Sequence, residues 1–121
     1  MCIRDRLRGH CATVGTDFDA ITRSSNWNTI IGTTEAEVQS RIDQLEARFA
    51  SSMGDQKAAQ YVSQYRVGNH ESLVGTPEQI VEVLQERAAL GLGYSNHNFP
   101  ESAHDRSGVE LFEREVIPAL S

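Results

Sequence analysis

His97 stands between Asn96 and Asn98 in the stretch YSNHNF. An imidazole titrates close to neutrality, so His97 is the candidate for general acid–base work. The competing reading is a histidine satisfied by its own neighbours. Ser24, Ser25, Asn26 and Trp27 form a second group. Functional groups in strand-and-helix enzymes sit where strands end and loops begin. These residues follow the first strand candidate and Asn98 follows the second, and an indole face can wall a planar ring. Against that, a lone tryptophan can simply pack inside the protein. Ser25, Asn26, Trp27 and Asn98 are therefore the ligand-binding candidates.

Other polar clusters read as local structure. Gly75-Thr76 ahead of Pro77 presents backbone N–H groups at a helix start, where an anion could sit. An ordinary N-cap explains the same residues. His104, Asp105 and Arg106 suit a turn before the last helix. His10 and Cys11 fall on the packing side of an early helix, and His70 falls in a loop. The four histidines and the carboxylates show no HExxH-like spacing, so no metal site is expected. Cys2 and Cys11 make neither a metal pair nor a disulfide framework. Dinucleotide, Walker and nucleophile-elbow motifs do not occur in the sequence.

The elements that must carry these residues follow from periodicity. Residues 7–14 read as the end of a helix, with Gly15 free to take the left-handed conformation after it. Residues 20–25 (AITRSS) are a short strand candidate. Thr34 and Glu37 form a capping box ahead of Val38, Ile42, Leu45 and Phe49 at helical spacing. Residues 55–66 make a weaker helix, and Gly68-Asn69-His70 breaks it. Thr76-Pro77-Glu78-Gln79 starts a third helix, with Ile80, Val81, Leu84 and Ala88 inward. Residues 94–99 form a second, polar strand that Pro100 stops. A last helix starts near Ser107 with Glu110 as its box partner, and Val109, Phe112, Val116 and Leu120 face in.

Strands alternating with amphipathic helices imply an α/β fold with parallel pairing. Two strands cannot build an independent core, and a (β/α)8 barrel takes about 250 residues. The chain has 121. It therefore reads as a piece of a larger fold. The opening MCIRDR joins no pattern that continues, and residues 1–6 read as a non-native start on a truncated gene.

Composition narrows the function classes. Hydrophobic residues make up 39% and charged residues 23%, as in ordinary globular domains. Eleven Lys and Arg stand against 17 Asp and Glu, a net charge of −6. No basic stripe exists for nucleic acid. No apolar run approaches the roughly 18 residues of a membrane helix. With no secretory apolar core near the start, a cytoplasmic location is expected.

Three stretches resemble, in order, the C-terminal end of the luciferase-like monooxygenase superfamily. LRGHCATVGTDFDAITRS is similar to its helix, glycine turn and penultimate barrel strand. SLVGTPEQIVEVLQERAALGLGY is similar to the helix after its inserted region. NFPESAHDRSGVELFEREVIPAL resembles the close of the domain, and DRSGxELFxREVIPAL points to the branch of coenzyme F420 (deazaflavin)-dependent oxidoreductases. The resemblance implies the last two strands of a TIM barrel over residues 7–121, with 26–72 as a helical insertion across the barrel mouth. It implies hydride transfer to, or oxygenation of, a small organic substrate with F420 or FMN in the parent enzyme, and a homo-oligomeric state for that enzyme. The first six strands would supply most of that site, so this portion alone is expected to bind no cofactor and to be inactive.

Two rivals follow: a small helical binding or assembly module without catalysis, and a gene fragment with no function of its own. A fragment should leave the faces Val109/Phe112/Val116 and Ile80/Leu84 partly uncovered, whereas a small domain should bury them.

Overall fold

The computed structural model describes residues 2–67 and 72–120. Helix α1 spans Cys2–Val14, followed by a 3₁₀ turn at Phe18–Ala20. Strand β1 is Arg23–Ile31, α2 is Glu35–Met53, α3 is Asp55–Val67 and β2 is Ser72–Gly75. Helix α4 is Pro77–Ala89, β3 is Leu92–Asn98, and α5 (Ser107–Leu111) runs through a π-helical turn at Phe112–Val116 into α6 (Ile117–Leu120). The class is mixed α/β with a small parallel sheet, as the alternation of elements implies.

The sheet has three strands in the order β2-β1-β3, with both pairings parallel. The chain steps to one side of β1 and then to the other. Parallel crossovers are right-handed, so the two connections lie on opposite faces. The cores agree. Ile30 of β1 and Val74 of β2 pack with Val38, Ile42, Leu45, Val62 and Tyr65 of α2 and α3. Trp27 and Ile31 of β1 and Leu73 of β2 pack with Ile80 and Leu84 of α4 and with Leu111, Phe112 and Val116. We call the second of these the roofed face. Alternation along a strand sends successive residues to opposite faces, which is why Ile30 and Ile31 enter different cores.

Several expectations need correction. The sequence shows two strands, but the described residues form three. SLVG at 72–75 is only four residues long and merges into the helix cap after it. The first strand is not 20–25. Ala20 belongs to the 3₁₀ turn, and β1 continues to Ile31. Residues 26–31, assigned to the insertion, lie in the sheet. Asn26 and Asn28 suggest a turn, yet Trp27, Thr29 and Ile31 between and beyond them make a buried alternating face. Helices α2 and α3 do fill most of the remaining segment. The break at Gly68-Asn69-His70 lies outside the described residues.

The caps show why the helices start where they do. Thr34 Oγ1 accepts the Glu37 N–H at 3.1 Å, and the Glu37 carboxylate accepts the Thr33 N–H at 3.0 Å and its hydroxyl. Thr76 N–H donates to Gln79 Oε1 at 3.0 Å, with Pro77 at the first helical position. The third expected box does not form. Ser107 is itself helical, and its N–H donates to Asp105 Oδ1 at 2.9 Å. A carboxylate two residues earlier captures the group first.

The apolar faces used to separate fragment from domain are largely buried within the chain. Ile80, Leu84, Phe112 and Val116 are no more than 7% exposed, and Val109 is half-buried. Leu120 is exposed, as is Ala88. At the other end, Cys11 is buried while His10 is exposed. The Arg8 and Arg23 guanidiniums lie 4.9 and 4.1 Å from the centroid of the Phe18 ring. Arg23 also donates to the carbonyls of Phe18 and Gly91. Gly91 has φ of 102°, a left-handed conformation that demands glycine, and a Cβ there would also push the Arg23 guanidinium aside.

Candidate functional site

The candidate residues gather on β1 and β3, but on opposite faces of that pair. The register aligns Ser25 with Ser95, Asn26 with Asn96, Trp27 with His97 and Asn28 with Asn98. All lie within strands. The expectation that Ser24, Ser25, Asn26 and Trp27 follow the strand's end is corrected, because the strand runs to Ile31. Asn98 does close β3, as expected of a residue at a strand end.

On the roofed face, His97 bridges two hydroxyls. Its Nδ1 lies 2.9 Å from Thr29 Oγ1 and its Nε2 lies 2.9 Å from Ser95 Oγ. The imidazole packs on Phe112, with ring centroids 4.6 Å apart. Burial pushes its pKa down to about 4, so the ring is neutral at pH 7. A neutral ring holding two hydroxyls is a poor proton acceptor for a substrate. The geometry makes His97 a link between β1 and β3 in place of the acid–base group its type suggests. Trp27 is 6% exposed and packs in the core with Leu84 and Phe112. Its indole is thus not free to wall a ring, and its Nε1 has no hydrogen-bond partner among the described residues. Ser25 is half-buried on this same side.

On the opposite face, Asn96 Nδ2 donates to Asn26 Oδ1 at 3.0 Å, and Asn98 Nδ2 donates to Asn28 Oδ1 at 3.1 Å. Asn26, Asn96 and Asn98 are exposed and Asn28 is half-buried. A cavity of about 370 Å³ lies against these two ladders. Helices α2 and α3 cover Ile30 and Val74 but do not extend over the asparagines. Asn26 and Asn98 are therefore placed as a ligand would require, while the Trp27 and His97 rings and Ser25 turn to the roofed face, although Trp27 and His97 also border the cavity.

A third cluster escaped the sequence reading. At the C-terminal ends of β1 and β3, Arg41 of α2 is 8% exposed and sits among three carboxylates. It lies 2.8 Å from Glu37, 3.4 Å from Glu101 and 3.5 Å from Asp105. Glu101 is itself buried, and that burial holds its pKa above the usual carboxylate value. Hydrogen bonds from Ser107 hold Asp105 below its usual value, and those from Thr33 and Arg41 do the same for Glu37. The cluster ties the segment after β3 to α2. Its one sequence signal was Glu37 four residues ahead of Arg41; Glu101, 60 residues farther on, gave none.

Gln79 Oε1 fills the Thr76 N–H, so the Gly75-Thr76 turn serves as a cap. Among the described residues, no three His, Cys, Asp or Glu side chains are grouped to hold a metal. No described helix is long and apolar enough to cross a membrane. No protein-family model, curated protein or solved structure matches the chain.

Proposed function

We propose that the chain is the C-terminal part of a luciferase-like TIM-barrel oxidoreductase. In this reading the asparagine face of β1 and β3 lines the cavity where the parent enzyme transfers a hydride to, or oxygenates, a small organic substrate. One observation carries the reading. Parallel strands occur almost only with both faces covered, yet the β1–β3 pair is roofed on one side alone. In a (β/α)8 barrel the outer face carries the helices and the inner face closes on the rest of the ring. The parallel pairing of β1 with β3 and the ordered resemblance support this reading. Strand β2, on the other edge of β1, stands where the barrel's preceding strand would pair, so in the parent enzyme β2 must give up that edge.

F420 or FMN would supply the redox chemistry. The four carboxamides fit the neutral polar edge of such a ring system but not its phosphate, because among the described residues no Lys or Arg lines their cavity. This chain's contribution is to hold and orient a ligand through Asn26, Asn28, Asn96 and Asn98.

The test joins this chain behind the first six strands of a luciferase-like oxidoreductase in place of that enzyme's own ending. Cofactor fluorescence should report F420 or FMN binding by the chimera and none by the 121-residue chain. Micromolar binding by the monomeric chain, or a folded chimera that binds neither cofactor, would overturn the proposal. The burial of Ile80, Leu84, Phe112 and Val116 favours a second reading, a self-contained binding module. That module would unfold cooperatively as a monomer and leave the chimera without cofactor.

A further inference from the structure

The asparagine face is uncharged in a chain of net charge −6. Ser24, Asn26 and Asn28 on β1 and Tyr94, Asn96 and Asn98 on β3 alternate onto it. Arg23 at its lower end is held by the carbonyls of Phe18 and Gly91. Among the described residues, phosphates and carboxylates therefore find no free Lys or Arg here, and metals find no carboxylate. Each asparagine pair spends one donor and one acceptor on itself, leaving further N–H groups and Oδ1 lone pairs. Adjacent donors and acceptors match vicinal hydroxyls, since each hydroxyl both donates and accepts. Strand geometry spaces the carboxamides about 4.8 Å across the pair and about 6.6 Å along it. Tyr94, 59% exposed and two residues before Asn96, adds an aromatic ring that can pack on the C–H face of a sugar. A cavity of about 370 Å³ is at the small end of ligand pockets.

We propose that this face binds a neutral saccharide, with the asparagines on its hydroxyls and Tyr94 against its ring. Calling that sugar a substrate rests on the oxidoreductase reading; the binding itself does not. The test uses the isotope-labelled 121-residue chain with maltose and cellobiose as neutral probes and glucose 6-phosphate as the charged one. Carboxamide resonances of the four asparagines should shift saturably with a neutral disaccharide. Asn96→Ala and Tyr94→Ala should each weaken binding by about tenfold, the equivalent of one good hydrogen bond or ring contact. Both side chains are exposed, and the backbone amide spectrum reports whether each variant keeps the fold. The proposal is overturned by no saturable shift with either neutral sugar, by shifts indifferent to both substitutions, or by tighter binding of glucose 6-phosphate. Sugar binding beside a chimera without cofactor would remove the oxidoreductase reading alone. A cofactor-binding chimera beside a chain that ignores sugars would remove this inference alone.

Discussion

The two halves of β1 live in different surroundings. Its last residues, Thr29, Ile30 and Ile31, are fully buried with helices on both faces. Its earlier residues alternate between the roofed face and open solvent. The covered half is held by apolar packing and closed at its end by the Arg41 cluster. The open half is held by paired carboxamides and the His97 bridge. Stability and ligand contact are thereby assigned to different parts of one strand. Changes in the covered half should cost the fold, and changes on the open face should cost binding.

The largest effect is expected at Arg41. Arg41→Ala leaves Glu101 buried without its cation, and about 3–5 kcal/mol of stability should be lost by urea unfolding. Glu101→Gln removes a buried carboxylate from an already acidic cluster, so it should change stability far less than Arg41→Ala. Equal losses would show that the pair acts as a simple bond. Ile30→Ala comes next. It opens space between β1, α2 and α3 and should cost about 2–5 kcal/mol in the same measurement.

The His97 bridge should show in the pH dependence of Tm. Its pKa of about 4 lies below the ordinary 6.5, so the folded state holds fewer protons than the unfolded chain between them. The contribution is full above pH 6.5 and is lost as pH falls toward 4. His97→Gln should flatten that part of the curve. Glu101 works the other way, because its raised pKa makes folding easier as pH falls through that value. The His97 slope is therefore best compared in the Glu101→Gln background. The smallest effect is expected for Asn28→Ala, two residues before Ile30 on the same face. It should cost about 0.5–1.5 kcal/mol, the worth of one partly exposed hydrogen bond. A loss as large as that of Ile30→Ala would erase the contrast between the halves.

Much of the helical scaffold was legible in the sequence. The boxes at Thr34 and Thr76 and the spacing of Val38, Ile42 and Leu45, or of Ile80 and Leu84, are local signals, and these helices start where they say. The last helix begins at Ser107 as expected, but its cap misled because Asp105 takes the Ser107 N–H in place of Glu110. Strands were less legible. Four residues of β2 carry too short a pattern, and the asparagines of β1 imitate a turn. At the site, residue type singled out His97 and Trp27, while burial turned both inward. Asn28, Asn96 and Thr29 were not among the candidates because their roles come from a partner about 70 residues away. Ser95 serves by holding His97, whose own inward turn was not legible.

The sequence by itself determined most of the helices, the caps at Thr34 and Thr76, and the α/β class. Helices and caps depend on contacts within a few residues, and their alternation with strands implies the class. Only the tertiary structure decided that β1 lies between β2 and β3. That choice sets which alternate residues meet helices and which meet solvent. It also brought Arg41 to Glu101 and each asparagine to its partner, since a register between distant strands leaves no local trace in either one.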